Sequence, residues 1–464
     1  FLIDSLSCGA TLFVYKSKLN FSWPDYSDPK NREILKNHMK RLNGEGGKLP
    51  SLIYKEKYFS ESDGKMLKLL KHGTIKIYQD NDPYDNDCIA RDIFQDIVKT
   101  WSMPYRTREG RRIKTVFSIE DKDIKVPLGI IEVGDPTLND RSRDRYLGLN
   151  NSIFLQNIHD GIIDPRLVKR KLLKFARCLL IDYPGSEKKF LDLCDSHKGV
   201  LMTKRKEDLS DKPYIYLVRI GRSLNAINAI IKNQKINQAE LSDLIKLHRD
   251  LFVSKICCEI TICGTMYPFN KYKLGKLISS FSGLPQIRNL VKRGGGSLLQ
   301  KAFDYEKLKK HLPSYGALLV TTKGLYPFHS AQYNRVDIPT INEERLRFKK
   351  IGLTQGMTTN HISQRTHKLS KDIIDNDNVG YVSKVYGTGG GKRHRRLKNV
   401  FTMVGINSDR FSPYLPRPVY GFSTVKNLID VFWNDQEPIH NVIQDDDLFI
   451  ERSFDNFRKK YLLS

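Results

Sequence analysis

The stretch PLGIIEV, residues 127–133, followed by Gly-Asp-Pro at 134–136, decides the fold class. An apolar run of strand length that ends in turn residues predicts a buried β-strand. The segment 167–180 instead repeats its apolar residues at helical spacing and carries Lys and Arg on its other face. Strands and helices are thus interspersed, and the sequence predicts a mixed α/β or α+β fold.

Similar patterns recur along the chain. By the same reasoning, strands are predicted at 152–158, 214–220 and 317–322, and helices at 89–101, 237–253, 343–350 and 425–433.

The length of the chain predicts more than one lobe. The chain has 464 residues, whereas single hydrophobic cores stop growing at roughly 250 to 300 residues. Polar composition at 182–213 indicates a surface insertion. The predicted units are a peripheral N-terminal segment at 1–85, a first α/β lobe at 86–181, an inserted and mostly helical lobe at 182–313, a C-terminal α/β lobe at 314–434, and a tail at 435–464.

The charge of the chain points to a polyanionic partner. Lys and Arg number 78 against 52 Asp and Glu, which gives a formal net charge of +26. Such an excess attracts nucleic acid through its phosphates. Charge alone therefore favours a nucleic-acid-binding protein.

The cysteines and the apolar runs predict a cytoplasmic location. The seven cysteines are an odd number without CxxC spacing, which is typical of a reducing compartment and predicts no zinc site. No apolar run reaches the roughly 18 residues that a membrane span needs. The chain begins with Phe1, and Asp4 without a preceding basic residue does not fit a signal peptide. We expect the original N-terminus to be missing.

The glycine-rich stretch GTGGGKRHRRLK, residues 387–398, is the sharpest candidate for binding phosphate. Glycines let the backbone approach an anion, and no carboxylate occurs between Asp377 and Asp409 to neutralise the segment. A solvated basic loop is the alternative interpretation. Arg393 stands where a Walker motif needs Ser or Thr, so ATP hydrolysis is not expected here. The predicted phosphate contacts are Lys392, Arg393, Arg395, Arg396 and Lys398.

Three carboxylates, Asp135, Asp140 and Asp144, lie in one turn-rich segment and could hold Mg²⁺ in a nuclease. Capping of turns and pairing with the neighbouring arginines is the alternative. The sequence therefore names no catalytic residue beyond the candidate Asp144.

A series of short motifs in a fixed order carries a family resemblance. They are PLG at 127–129, RDRYLG at 143–148, Cys263-Gly264, PFN at 268–270, LGKL at 274–277, YNR at 333–335, GLTQG at 352–356, Tyr386-Gly387 with Arg393 and Arg396, and RPVY at 417–420. Together, over roughly residues 90 to 433, they resemble the DruA family of bacterial Druantia anti-phage systems, whose domain also occurs in transposon-associated proteins.

The resemblance implies a subunit of a multi-component defence system that acts with a large helicase-like partner, and it implies no reaction. It adds Lys276 and Arg335 as nucleic-acid contacts. We expect a subunit that binds DNA rather than RNA through its phosphate backbone. The second hypothesis is a Mg²⁺-dependent nuclease or transposase-like enzyme that uses Asp144. A faint similarity of 152–167 to N-acyltransferases is disfavoured, because Asp160 and Asp164 would repel the phosphates of coenzyme A.

Overall fold

The computed structural model describes residues 11–15, 18–22, 63–79, 110–179 except 122–123 and 138, 186–196, 212–265, 269–292, 315–324, 333–354, 364–376, 390–403 and 416–462, with a few isolated positions. Eleven strands lie in these ranges: β1 (Thr11–Tyr15), β2 (Lys18–Ser22), β3 (Thr74–Gln79), β4 (Arg112–Asp121), β5 (Ile124–Gly134), β6 (Cys257–Thr265), β7 (Leu319–Lys323), β8 (Asp337–Ile338), β9 (Leu346–Arg347), β10 (Lys349–Leu353) and β11 (Pro418–Ser423).

The α-helices of six or more residues in the described ranges are α1 (Asp63–His72), α2 (Arg141–Tyr146), α3 (Asn151–His159), α4 (Pro165–Leu179), α5 (Glu187–Ser196), α6 (Lys212–Ile231), α7 (Gln238–His248), α8 (Gly275–Ser280), α9 (Gln364–Asn376), α10 (Gly390–Met403), α11 (Leu428–Asn434) and α12 (Asp446–Tyr461). A π-helical segment, Arg249–Val253, continues α7 towards β6.

Seven strands form one sheet in the order β10-β11-β7-β6-β5-β4-β3. β6 and β7 run parallel, and the other neighbours in this sheet are antiparallel. The quoted stretch 127–133 lies in β5 and is buried throughout, as its apolar run predicted. The prediction of a mixed α/β fold is confirmed.

The sheet is covered on both faces. On one face α8 and α12 enclose a cluster in which the ring of Phe281 lies 4.7 Å from that of Phe117 on β4. On the other, α3 to α7 and α11 pack around Trp433, whose ring lies 4.3 Å from that of His248. The Trp433 indole N–H donates to the Leu147 carbonyl at 2.7 Å, so this large side chain is buried without an unpaired donor.

Several predicted elements are confirmed. The helices at 167–180, 237–253 and 425–433 correspond to α4, to α7 with its π-helical extension, and to α11. The Asn237 side chain accepts from the Ala239 N–H at 3.0 Å and so caps α7. The run at 317–322 corresponds to β7.

Three local predictions were wrong. Residues 152–158 belong to α3, where the Asn150 side chain accepts from the Ser152 N–H and starts a helix. Residues 214–220 belong to α6, and 343–350 holds β9 and the start of β10 instead of a helix.

The predicted lobe boundaries stay a prediction. β6, from the segment 182–313, lies in the same sheet beside β7, from the segment 314–434. Part of the polar stretch 182–213 forms α5, and residues 197–211 lie outside the described ranges. The helix predicted at 89–101 lies mostly outside them as well. Within the described part of the chain, no helix is both long and apolar enough to span a bilayer.

Candidate nucleic-acid interface

The helix α4 presents a row of cations to solvent. Val168, Leu172, Phe175 and Ala176 are buried in the cluster around Trp433. The opposite side carries Arg166, Lys169, Arg170, Lys174 and Arg177, which with Leu173 line a shallow depression of about 350 Å³. All of these cations except the half-buried Lys169 are exposed. We call these five residues the cationic face.

The start of α4 is fixed by its sequence. Pro165 occupies the first helical position, where its missing N–H costs nothing. The Asp164 carboxylate accepts from the Arg166 N–H at 2.8 Å, and the Asp164 N–H donates to the Asn434 side chain at 3.0 Å. The helix is therefore anchored to α11, and the cationic face has a defined position.

Ion pairs neutralise part of the cationic face. Lys169 Nζ lies 2.8 Å from a carboxylate oxygen of Glu187 on α5, and Lys174 Nζ lies 3.5 Å from Asp435. Arg166, Arg170 and Arg177 recur along the helix over about 16 Å, at 1.5 Å per residue. The side chains of these three arginines are exposed, so a polyanion could reach them.

Lys171 lies on the inner side of the same helix. Its ammonium donates to the Phe432 carbonyl at 2.6 Å and lies 4.2 Å from the centre of the Phe252 ring. Burial lowers the pKa of Lys171 to about 8; attraction to Asp435 opposes this shift and repulsion from Lys174 adds to it. Lys171 is thus part of the core and not of the cationic face.

The glycine-rich segment is described in part. The helix α10 begins at Gly390, close to the predicted start near Lys392, and contacts α9. Its Leu397 and Phe401 are buried together with Ile362, which precedes α9. The side chains of Lys392, Arg393 and Arg395 lie outside the described residues. Arg396 is half-buried and Lys398 is exposed. Their role as phosphate contacts stays a prediction.

The remaining predicted contacts lie elsewhere on the molecule. Lys276 opens α8 and donates to the Tyr461 hydroxyl at 3.1 Å, with its ammonium 4.9 Å from the centre of that ring. Arg335 ends the short 3₁₀-helix Tyr333–Arg335 and is exposed. Neither Lys276 nor Arg335 belongs to the cationic face of α4.

Each carboxylate of the predicted Mg²⁺ group has cationic neighbours. Asp135 pairs with Arg111 at 2.6 Å. Asp144 pairs with Arg143, and Arg249 lies 3.9 Å from its other oxygen. Burial raises the pKa of Asp144, and the two arginines oppose that shift.

Asp140 belongs to a separate ionic group that the sequence did not reveal. It caps α2 through the Ser142 and Arg143 N–H groups, and Lys323 Nζ lies 3.1 Å from Asp140 and 3.2 Å from Glu259. The sequence did contain one signal for this group, which is the acidic residue Glu259 among the apolar residues of β6. An acid in such a position is seldom buried unless it is paired with a cation. Among the described residues, no group of three or more His, Cys, Asp or Glu side chains could hold a metal ion.

The fold and charge define a mixed α/β protein with a cationic helix facing outward. Residues 79–172 match a protein-family model, that of the Druantia protein DruA. The matched segment contains β4, β5, α2, α3 and the first half of α4, and it includes the motifs at 127–129 and 143–148. The resemblance stated from the sequence is confirmed over this segment. Searches among curated proteins and among solved structures found no match.

The buried Lys171 predicts a specific dependence of stability on pH. Because its pKa is about 8 in the folded protein and 10.5 for an ordinary lysine, the unfolded state binds more protons between these values. Lys171 should therefore contribute a rise of about 2–3 kcal/mol to the free energy of unfolding between pH 8 and pH 10. The buried thiols of Cys257, Cys258 and Cys263, whose pKa values burial raises, contribute a fall over the same range, so the effect of Lys171 is measured as the difference between the unmodified protein and a Lys171→Met variant. A Lys171→Met variant should lack this rise in urea titrations. The exposed Lys350→Met is the control, and an equal rise in Lys171→Met would contradict the assignment.

Proposed function

We propose that this protein is a nucleic-acid-binding component of a Druantia-like bacterial anti-phage system, and that the cationic face of α4 binds the phosphate backbone. The observation that carries the proposal is the row of exposed arginines on a helix whose other side is fixed in the core. The net charge of +26 supports it.

The composition of the cationic face supports recognition of the backbone rather than of base sequence. Its polar side chains are Arg and Lys, which bind phosphates, and it has no Asn or Gln, the side chains that read adenine edges. The DNA duplex carries regularly spaced phosphates that a row of cations can follow. DNA is the proposed ligand in preference to RNA.

The family match supports the cellular context. A segment that contains the start of the cationic helix is similar to a Druantia protein. We propose that the chain works in the cytoplasm with other subunits of the defence system, among them a helicase-like protein. In such a system the basic surface would hold the invading DNA for its partners.

Removal of the arginines from the cationic face should weaken DNA binding. The triple variant Arg166→Gln, Arg170→Gln, Arg177→Gln removes three phosphate contacts, so the slope of log affinity against log salt should fall by about 3. Fluorescence anisotropy with duplex DNA at two or more salt concentrations measures both quantities. The variant Lys349→Gln, Lys350→Gln, Lys459→Gln removes the same charge from other exposed positions and should bind more tightly than the triple variant.

Equal losses in these two triple variants would show that only net charge matters, and the proposed interface would then be wrong. The same titrations with Mg²⁺, followed by electrophoresis of the DNA, test the enzyme hypothesis. Cleavage that Asp144→Asn abolishes would support a nuclease in place of a binding subunit.

The glycine-rich segment gives a separate prediction. Alanine at Lys392, Arg393, Arg395 and Arg396 should weaken DNA binding and flatten its salt dependence if the helix α10 also contacts phosphates. The measurement is the same anisotropy titration, with single-stranded DNA and RNA for comparison. Unchanged affinity would restrict the interface to the cationic face of α4.

A further inference from the structure

The lysines near Tyr461 lie on the side of the sheet opposite to the cationic face. Tyr461, the last residue of α12, packs against the cluster beneath α8 and α12, whereas α4 packs in the cluster around Trp433. The seven-stranded sheet separates these two clusters. Because layers of secondary structure pack about 10 Å apart and a helix is about 10 Å wide, the outward sides of the two helical layers are about 30 Å apart.

Three ammonium groups lie near the Tyr461 ring. Those of Lys273, Lys276 and Lys460 are 5.8, 4.9 and 5.5 Å from the ring centre. Lys276 also donates to the Tyr461 hydroxyl oxygen at 3.1 Å. The hydrogen of this hydroxyl therefore points away from Lys276, and tyrosine hydroxyls are among the donors that bind phosphate oxygens.

Two arginines extend this group of cations. Asp337 accepts from Lys460 Nζ at 2.9 Å and from Arg347 Nε at 2.5 Å, and Arg345 Nε lies 3.5 Å from the same carboxylate. Five cations with this one carboxylate leave a net formal charge of +4. We call the five cations the second basic surface: Lys273, Lys276, Arg345, Arg347 and Lys460.

Neighbouring carboxylates do not neutralise the second basic surface. The carboxylates nearest in sequence to Arg345 and to the end of α12 are Glu344 and Asp455. Glu344 lies 3.3 Å from Lys426, and Asp455 lies 3.6 Å from Arg458, so each has a cation of its own. Like charges held this close repel one another, and the binding of an anion relieves that repulsion.

The composition of the second basic surface favours a polyanion over a protein partner. Lys273, Arg345 and Lys460 are exposed. Protein interfaces usually have an apolar centre. In the described part of the chain, none of the large hydrophobic side chains that are exposed lies on α8, on β9 or in the last turn of α12. Nucleic acid, whose phosphates bind Lys and Arg without an apolar contact, is the polyanion that fits.

We propose that the second basic surface binds nucleic acid, and that one chain thereby bridges two DNA duplexes, one on each side of the sheet. This inference rests on the proposed binding of DNA by the cationic face. A duplex bends little over lengths below its persistence length of about 150 base pairs. A short duplex on α4 therefore cannot reach around the sheet to Tyr461, which leaves the second basic surface for another duplex.

A capture assay with the full chain tests the bridging. Duplexes of about 30 base pairs, far below the persistence length, carry biotin in one set and a fluorophore in the other. The unmodified protein should retain the fluorescent duplex on streptavidin beads that hold the biotinylated duplex. The lysine variant, Lys273→Gln, Lys276→Gln, Lys460→Gln, should lower this capture by about tenfold, because three phosphate contacts are lost. It should still bind single duplexes in anisotropy through α4.

Two controls separate bridging by one chain from other causes. The variant Lys232→Gln, Lys235→Gln, Lys246→Gln removes the same charge from exposed positions on and beside α6 and α7, and it should capture as the unmodified protein does. A mixture of the lysine variant with the triple arginine variant of α4 should not restore capture, because each chain then carries only one intact surface.

Three results would overturn the proposal. The first is no capture by an unmodified protein that binds single duplexes, which would favour an acidic protein as the partner of the second basic surface. The second is undiminished capture by the lysine variant or by the mixture, which would attribute bridging to a dimer of chains. The third is an equal loss in the charge control. The salt dependence of the triple arginine variant tests the cationic face by itself, so the two proposals can fail separately.

Discussion

The burial of β6 and β7 on both faces is the constraint on which the rest of the structure depends. Cys258, Ile260 and Val320 point into the cluster beneath α8 and α12, whereas Cys257 and Leu319 point into the cluster around Trp433. In strands buried on both sides the polar side chains must be hydrogen-bonded, as Thr321 is to the Cys258 carbonyl, and any charge must be paired. This explains why Glu259 lies against Lys323, and why both helical layers need this pair of strands to complete their cores.

The elements that were predicted correctly are those whose apolar residues follow one pattern only, that of a buried strand or that of a helix. The stretch 127–133 is an apolar run of strand length bounded by turn residues, and α4 separates apolar from charged residues. The segments 152–158 and 214–220 were ambiguous because a short apolar run fits both periods. In α6 the pattern continues through Leu224 and Ile227, which only a longer window reveals. The strands β9 and β10 owe their conformation to pairing partners elsewhere, which a local pattern does not contain.

The candidate interface was predicted in part for a similar reason. The positive side of α4 follows from helical spacing alone, since Arg166, Arg170 and Lys174 are four residues apart. The helical spacing did not lead us to expect that the side chain of Lys171 is buried, because a lysine is rarely buried in a folded protein. Nor could it show that Asp135 and Asp144 are matched by Arg111 and Arg249, which lie far away in the sequence. Such long-range ion pairs form only in the folded chain. Asp135 and Asp144, which the sequence suggested as Mg²⁺ ligands, are therefore engaged by arginines in the structure.

The position of β11 has a consequence for how the chain is made. β11 lies between β7 and β10 in the sheet although it follows both in the sequence. When β10 leaves the ribosome, the strand that will join it to the sheet has still to be synthesised, more than 60 residues later. Until then one side of β7 is an open edge, which in nascent chains invites association with other strands. Completion of the sheet is therefore late relative to the synthesis of β7 and β10, and a chain truncated before Pro418 should expose that edge to chaperones or to aggregation.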